Sequence, residues 1–419
     1  MQTAGAQASA AQVRQRVDGV MPKVIAWRRD IHQHPELGNR ETRTAKIVAD
    51  HLRALGMEVR TNVAHTGVVG VLRGGRPGPV VALRADMDAL PVTEMVDVAF
   101  RSRVRTLYNG DSVGVMHACG HDNHVAILMG TAEVLAGMKA MLPGTVKFIF
   151  QPAEEGAPAG EDGGADLMIK EGVLENPAPQ AIFGLHVWAD SAGRITYKPG
   201  GTMAGGDGLR IVVVGRQTHG AMPWGGVDPV VASAQVITAL QTVTSRQTDI
   251  TQAPAIVTIA TIHGGVRGNI IPDSVVMTGT IRTLDPKQRE DILARVRRTA
   301  EKTAESFGAT ARVTTQQGYP VTYNDPALTE RSLSTLRSAA DGRVALTSPT
   351  MGSEDFSYFQ QRIPGFYFFL GVTPRGQDPV TAPRNHSPYF AADEYALPVG
   401  VRALTQLAID YLAAGNPVP

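Results

Sequence analysis

The segment HACGHDNH, from His117 to His124, holds the only cysteine of the 419-residue chain and places three histidines around it. Cys119 and His121 are separated by a single glycine. Thiolate and imidazole are ligands of zinc and its first-row neighbours, so two such groups can bind one metal ion or a pair of ions. A lone cysteine is more often a small buried core residue, and it can also be a nucleophile. Taken alone, the segment leaves these three interpretations open.

Two adjacent acids and two further histidines extend the set of candidate groups. Glu154 and Glu155 follow the apolar run TVKFIFQPA and precede the glycine-rich loop GAPAGEDGGA. At a strand end both carboxylates can converge on one cavity, where one can bind a metal ion and the other can accept a proton from its water. His186 follows the apolar run IFGL, and His386 lies in the segment APRNHSPYF. The plain alternatives are a surface turn for the acids, and core or surface positions for the histidines.

The elements that must position these groups have an α/β pattern. Two amphipathic helices are predicted between Val13 and Leu55, the second ending at Gly56. Strand-like runs follow at GVVGVLRG, PVVALRADMDA, TVKFIFQPAEE and AIFGLHVWA, with a helical pattern from His121 to Lys139. This alternation indicates a mostly parallel sheet with helices on both faces, where ligands gather at the carboxyl ends of strands. The polar clusters RADMDA, QPAEEG and GLHVW each lie at the end of such a run.

The pattern changes near residue 201. From there to residue 318 the runs predict a strand, a helix, two strands, a helix and a strand. This βαββαβ order is the split βαβ arrangement, whose two long helices need one face of a sheet to cover. We therefore expect residues 201–318 to form a domain inserted into a larger domain made of residues 1–200 and 319–419.

Ten ordered motifs resemble one family across residues 21–412. They are RRDIHQHPELG, LRADMDALP, HACGHDNH, FIFQPAEEG, GLHVW, THGAMPW, GNIIPD, GTIRT, MGSEDFSYF and NHSPYFAADEYAL. Together they resemble the two-metal amidohydrolases that include hippurate hydrolase, N-acyl-L-amino acid amidohydrolases, bacterial carboxypeptidases and the IAA-amino acid hydrolases of plants. The resemblance implies a di-metal peptidase-like catalytic domain with an inserted ferredoxin-like lid domain that usually pairs two subunits.

The resemblance also implies the roles of the residues in the larger domain. By this resemblance Glu154 is the general base. The ligands of the two divalent ions are Cys119, His121, Glu155, His186 and His386. The ions would be Zn, Mn, Co or Ni, with a cysteine ligand favouring the softer Zn. Asp86 and Asp88 are expected to orient a ligand or to tune Glu154. For His117 and His124 we favour similar supporting roles over direct ligation.

The smaller domain is expected to contribute to substrate binding. In the family, the histidine that matches His219 reaches the partner subunit's site and donates a hydrogen bond to the reaction's oxyanion. Asn269 and Arg282 resemble substrate-binding groups, and Arg282 would suit a carboxylate. Gly352, with Ser353, could offer backbone N–H groups to that same carboxylate.

The resulting hypothesis is a metal-dependent hydrolase of N-acyl amino acids or small peptides, acting as a homodimer or higher homo-oligomer. An alternative enzyme would use Cys119 as a nucleophile, aided by His121 or Glu154. A third reading is a noncatalytic protein that binds acyl amino acids, although a receptor has little need of an acid pair.

Composition excludes other classes of protein. The formal net charge of +1 gives no general attraction to nucleic acid or anionic lipid, and no run approaches the roughly 20 apolar residues of a membrane span. A single cysteine cannot form an intramolecular disulfide bond. The first residues lack the apolar core of a signal peptide. We therefore expect a cytoplasmic protein, or a periplasmic or secreted one if a signal peptide was removed.

Overall fold

A computed structural model describes residues 9–415 of the chain. Its helices agree with the two predicted near the start and with the one predicted after His121. They are α1 (Ala10–Gln33), α2 (Thr42–Ala54), α3 (His121–Ala136), α4 (Gly164–Lys170), α5 (Pro229–Arg246), α6 (Pro286–Ser306), α7 (Pro326–Ala339), α8 (Phe356–Gln360) and α9 (Leu397–Ala414). Helix α2 ends as expected, because Gly56 adopts a φ of 74° and its N–H bonds to the Arg53 carbonyl.

The strands also follow the predicted runs, with several short strands added. They are β1 (Glu58–Val63), β2 (Gly67–Arg73), β3 (Arg76–Asp86), β4 (Arg105–Tyr108), β5 (Asp111–Gly114), β6 (Pro143–Gln151), β7 (Ala181–Ser191), β8 (Ile195–Tyr197), β9 (Gly200–Met203), β10 (Gly205–Val214), β11 (Thr218–His219), β12 (Ala255–Gly264), β13 (Ile270–Ile271), β14 (Ser274–Thr283), β15 (Thr310–Gln317), β16 (Thr322–Asn324), β17 (Val344–Leu346) and β18 (Gly365–Thr373).

Eight strands form the sheet of the larger compact unit, in the order β1-β2-β6-β3-β7-β18-β8-β17. The four central strands are mutually parallel, but β1 and β2 pair antiparallel, as do β2 with β6 and β18 with β8. The expectation of a mostly parallel sheet is therefore correct only for the centre, and the sheet as a whole is mixed. One cause is the three-residue turn between β1 and β2, which is too short for the crossover that parallel strands need.

The core of the larger unit forms where α1, α3 and α9 pack together and against the sheet. Helix α3 is buried along almost its whole length, which matches its apolar sequence. Within residues 9–415, no helix is both long enough and apolar enough to cross a membrane.

The smaller compact unit comprises Gly201–Thr322 together with Ser348–Ser357. Its elements follow one another as β10, α5, β12, β14, α6 and β15, and its sheet has the order β12-β14-β10-β15 with antiparallel neighbours. Helices α5 and α6 pack on this sheet around a separate apolar core. The MGSEDF segment belongs by its contacts to this unit, whereas our sequence boundaries place it in the larger one.

Candidate metal centre

The Cys119-Gly120-His121 segment leads directly into helix α3. Gly120 has a φ of 92°, a conformation that L side chains rarely adopt. A Cβ atom added there would also come within 2.4 Å of the Val187 side chain on β7. Glycine at this position therefore allows the thiol and the imidazole to approach the strand that carries His186.

The acid pair lies just beyond the end of β6, on a turn held at both sides by buried carboxyl groups. Ala153, which precedes the pair, has a φ of 52°, and its N–H donates to Glu41 Oε1 at 2.9 Å. The N–H of Glu155 donates to Asp88 Oδ2, also at 2.9 Å. Hydrogen bonds on either side of Glu154 thus determine the direction in which both acids leave the sheet.

Glu41 is a supporting residue that the sequence did not reveal. Its carboxyl group is fully buried and also accepts a hydrogen bond from the Thr66 hydroxyl at 2.5 Å. Burial, together with the negative charge of Asp88, raises the pKa of Glu41 to about 8. A glutamate at the start of a helix carries no sequence signal for this role, because its partners are more than 20 positions away.

All five predicted ligands lie in one cluster with Glu154. The Cys119 sulfur is 3.4 Å from His186 Nε2 and 3.3 Å from His386 Nε2, and His386 Nε2 is 3.0 Å from Glu155 Oε1. Three groups each have donor atoms within 4.8 Å of one another, namely Cys119 with His121 and His186, Cys119 with Glu155 and His386, and His121 with Glu154 and Glu155. Candidate ligands from four separate segments therefore lie close together.

The ring of His186 is oriented for ligation. Its Nδ1 is 2.7 Å from the Val187 carbonyl oxygen, to which it donates, so Nε2 keeps its lone pair on the side of Cys119. Burial, reinforced by the nearby His124, holds the pKa of His186 well below its usual value. The ring is therefore neutral, which is the form that binds a metal ion.

Asn385 fixes the loop that carries His386, and it is a second residue that the sequence analysis missed. Its side-chain amide donates to the carbonyl oxygens of Cys119, at 2.9 Å, and Val187, at 3.1 Å. The N–H of His386 itself donates to the Ala118 carbonyl. His386, the C-terminal candidate ligand, is thus connected to the backbone of the two segments that carry Cys119 and His186.

His121 is surrounded by carboxylates. Neither ring nitrogen makes a hydrogen bond of regular geometry within the described part of the chain, although Nδ1 is 3.3 Å from Asp88 Oδ1 and Nε2 is 3.9 Å from Glu154 Oε2. Burial alone would lower the pKa of His121, but the charges of Asp86 and Asp88 outweigh it and raise the pKa to about 10. A bound cation would satisfy both the acids and a ring nitrogen.

The two neighbouring histidines differ in their surroundings. His124 Nδ1 lies 2.5 Å from Asp86 Oδ1, and its Nε2 accepts the N–H of Val187 at 2.8 Å. Both nitrogens of His124 therefore contact Asp86 and β7, although Asp86, His121 and His124 also have donor atoms within 4.8 Å of one another. His117 is fully buried, which lowers its pKa to about 3, and it lies outside the groups of donor atoms that could hold an ion among residues 9–415.

The thiol environment opposes the nucleophile interpretation. Burial and the carboxylates of Glu155 and Glu154 raise the pKa of Cys119 well above its usual value. A cysteine nucleophile needs the opposite shift, because the thiolate is the reactive form. A cation among these carboxylates would stabilise the thiolate as a ligand, so the donor set fits a metal centre.

The predicted residues of the smaller unit lie in two places within that unit. His219 is exposed on β11, which pairs with β13, and the N–H of Gly220 donates to the Asn269 carbonyl beside it. Arg282 lies on β14, and its guanidinium donates to the Ser353 hydroxyl. Gly352 is next to that serine. The unit therefore places His219 near Asn269, and Arg282 near Gly352 and Ser353.

The family model and the most similar relatives point to the same protein family. The model of peptidase family M20/M25/M40 matches residues 82–410. The chain is 43% identical to thermostable carboxypeptidase 2 of Saccharolobus solfataricus over 93% of its length and 95% of the relative's. It is 38% identical to IAA-amino acid hydrolase ILR1-like 4 of Arabidopsis thaliana, over 93% of the chain and 86% of that protein.

One solved structure of a relative is described as binding two metal ions. The crystal structure of a dinuclear metal-binding M20 peptidase from Bacillus subtilis has a TM-score of 0.78 and 34% identity, covering 94% of this chain and 99% of that one. Together with the donor set, these relatives confirm the predicted class of a metal-dependent amide hydrolase that uses two metal ions. The chain belongs to peptidase family M20/M25/M40.

Proposed function

We propose that this hydrolase cleaves the amide bond of N-acyl amino acids or small peptides that carry a free carboxylate on the amine side. Glu154 is the general base, and the metal ligands are Cys119, His121, Glu155, His186 and His386. The observation that carries the proposal is the convergence of these five donors around one buried carboxylate. The class of substrate agrees with the relatives, whose names describe a carboxypeptidase and a hydrolase of amino acid conjugates.

The chemistry divides between the ions and Glu154. When bound, two divalent cations supply a water of lowered pKa and polarise the carbonyl of the scissile amide. The Glu154 carboxylate is buried beside the ligands, with Oε2 3.9 Å from His121 Nε2. It can accept the proton of the attacking water at a carboxylate oxygen and later donate that proton to the leaving amine nitrogen.

Asp86 and Asp88 hold this arrangement in place. Asp86 is bound by His124 and by the buried Arg84, whose Nη1 lies 2.6 Å from Asp86 Oδ2. Burial would raise the pKa of Asp86, but His121, His124 and Arg84 keep it well below its usual value. Its fixed negative charge next to His121 orients that ligand, while Asp88 orients the Glu155 backbone.

The substrate carboxylate is bound in our proposal by Arg282 and by the backbone N–H of Gly352. An arginine can form two parallel hydrogen bonds with a carboxylate, and the Ser353 hydroxyl already holds one nitrogen of this guanidinium. Asn269 adds a polar side chain for the same substrate.

We further propose that the smaller unit is a lid that pairs two subunits. His219 of the partner subunit would donate a hydrogen bond to the carbonyl oxygen as negative charge develops on it. Support comes from the exposure of His219 and from β12, an edge strand with exposed Ile256 and Ile262. A fully active monomer, identified by measuring mass and activity on the same fraction, would contradict this arrangement.

The central test compares Glu154→Gln with the wild type on N-acetyl and N-benzoyl amino acids and on dipeptides. We expect kcat to fall by at least about 10²-fold, because general base catalysis is worth roughly 10²–10⁴. Metal content, measured on the same samples, should stay unchanged. Glu58→Gln, which alters an exposed ion pair on β1, is the matched control and should keep full activity. Retained turnover in Glu154→Gln would refute the assignment of the base.

A chelator experiment separates the metal and thiol mechanisms. Removal of metal should abolish activity, and added Zn, Mn or Co should restore it. A chelated enzyme that keeps its activity would favour the cysteine mechanism. Loss of activity on thiol alkylation would fit either mechanism, because Cys119 is also a ligand in our proposal.

A further inference from the structure

A cavity of about 440 Å³ lies beside the metal centre, within the larger unit. Asp88 and Glu155 border it on one side, and these residues also belong to the candidate centre. The rest of its wall is mixed in polarity, and its apolar side chains include Leu37, Leu90, Val104, Leu107, Val115 and Pro158. The volume falls within the range of roughly 300–1,000 Å³ that is typical of small-molecule sites.

The outer wall of this cavity is the hairpin of β4 and β5. Its strands pair from Arg105 with Gly114 to Tyr108 with Asp111. Asn109 and Gly110 form the connection with φ values of 52° and 91°, which is the pattern of a two-residue hairpin turn. The hairpin therefore has a defined shape of its own.

The base of the hairpin is anchored to the loop that carries Asp88. Leu90 and Met116 exchange backbone hydrogen bonds just beyond the hairpin. A Cβ atom on Gly114 would come within 2.7 Å of the Thr93 backbone, so the two segments are in close contact. The wall of the cavity is thus fixed relative to Asp88 by packing and by backbone hydrogen bonds.

The hairpin exposes apolar side chains that the fold does not use. Leu107 is 76% exposed and Tyr108 is 41% exposed, although both line the cavity. An exposed leucine adds no stability to a two-stranded ribbon, whereas a ligand in the cavity would cover this side chain. These two side chains therefore offer apolar surface to a bound molecule.

The cationic groups of the lining are already engaged with the protein. Arg40 forms a two-pronged ion pair with Glu161, and Arg105 donates to the Ser112 carbonyl oxygen and hydroxyl. The other charged groups of the lining are acids, namely Glu36, Asp88 and Glu155. The cavity consequently favours an uncharged apolar group over an anionic one.

We propose that this cavity is the subsite for the acyl group of the substrate and that Leu107 sets a preference for apolar acyl groups larger than acetyl. The proposal rests on the proposed function, in which Arg282 and Gly352 bind the carboxylate of the amine half. The cavity next to Asp88 and Glu155 presents apolar side chains, and its arginines are engaged with the protein, so it suits the apolar acyl half better than the half that carries the carboxylate.

Two substrate series test this subsite. One series keeps the amino acid constant and varies the acyl group from acetyl to hexanoyl and benzoyl. The other keeps the acyl group constant and varies the amino acid side chain. Both are assayed with the metal-loaded, full-length enzyme, and kcat/KM is determined for each substrate.

Leu107→Ala should lower kcat/KM for the benzoyl and hexanoyl substrates by about tenfold, because lost contacts in an apolar pocket have effects of that order. Hydrolysis of the acetyl substrate should change little. Leu107→Asp should have a larger effect on the same substrates. Because the Leu107 side chain is highly exposed, neither substitution should affect folding. Leu346→Ala is the matched control, since Leu346 is 65% exposed on β17 and lies outside the cavity lining.

The outcomes distinguish this inference from the proposed function. If the wild type hydrolyses neither the N-acyl substrates nor dipeptides, the proposed function is wrong, whereas hydrolysis of dipeptides alone overturns only the acyl subsite. If it hydrolyses the N-acyl substrates but Leu107→Ala leaves the acyl preference unchanged, only the subsite is wrong. An effect of Leu107→Ala on the amino acid series instead would assign the cavity to the amine half and overturn the proposal.

Discussion

Glu41 supports the acid pair, and its burial makes a quantitative prediction about stability and pH. The carboxyl group is fully buried, accepts from Ala153 N–H and the Thr66 hydroxyl, and has a pKa raised to about 8 by burial and by Asp88. In the unfolded chain this carboxyl group titrates near its ordinary pKa of about 4.5. The folded state therefore binds one more proton than the unfolded state between about pH 4.5 and pH 8.

The sign of the effect follows from this difference in proton binding. A raised folded-state pKa contributes stability at low pH that is lost as the pH rises through the folded value. The loss approaches about 1.4 kcal/mol per pH unit within the window, or a few kcal/mol in total. Glutamine cannot ionise, so Glu41→Gln removes this dependence. Its amide oxygen can still accept the Ala153 N–H, and its nitrogen can donate to the Thr66 hydroxyl.

The assay is thermal or urea unfolding of wild type and Glu41→Gln at a series of pH values from about 5 to 9. Metal is removed first with a chelator, because cations bound nearby would favour the charged carboxylate. At about pH 5 the variant should be no more stable than the wild type. As the pH rises to about 8, the variant should become the more stable protein by an amount that grows steadily.

A stability difference between the two proteins that stays constant from about pH 5 to pH 9 would refute this reasoning. Glu58→Gln is the control, because the exposed pair with Arg73 lowers the pKa of Glu58 below its usual value. Glu58 is then charged in both states throughout the window, and its replacement should add no slope.

Two further predictions concern the backbone around the ligands. Gly120→Ala should destabilise the protein by about 1–2 kcal/mol from the left-handed backbone alone, and by more from the contact with Val187, as measured by thermal unfolding. Metal titration should show weaker binding in the same variant, and wild-type values in both measurements would contradict the role of the glycine. Asn385→Ala should weaken metal binding by about 10–100-fold, as is usual for groups that orient ligands, while the unfolding temperature changes little. Unchanged affinity would mean that the His386 loop is held by other contacts.

The sequence was most informative where chemistry and pattern coincide. Strands β3 and β6 end near RADMDA and QPAEEG, as their apolar runs predicted, and His186 lies on β7 at the level of Asp86 on β3. Cysteine, histidine and paired acids at such positions supply the kinds of donor atom that a metal site needs. The convergence of distant segments was a prediction from the family resemblance, and the structure supplies the distances.

Other features could not be predicted because they depend on contacts between distant positions. Glu41 accepts from the backbone of Ala153, 112 positions away, and Asn385 donates to the backbone of Cys119, 266 positions away. Neither residue belongs to a periodic pattern. Strand β1 was missed because it is a short edge strand with an irregular pairing to β2. The β4–β5 hairpin did carry a local signal, since Asn109-Gly110 is a favoured turn dipeptide, but its flanking strands are short and exposed.

The residues that hold the centre act mainly through the backbone. Glu41 and Asp88 bind the N–H groups on either side of Glu154, and Asn385 binds the carbonyl of Cys119. Each of these bonds sets the position of a proposed ligand or of the proposed base, and leaves the side-chain atoms of that residue free to act. Since coordination geometry tolerates little displacement, substitution of these residues should act first on metal affinity and turnover. The donor set alone is therefore an incomplete description of the site, because the positions of its members depend on carboxyl and amide groups outside that set.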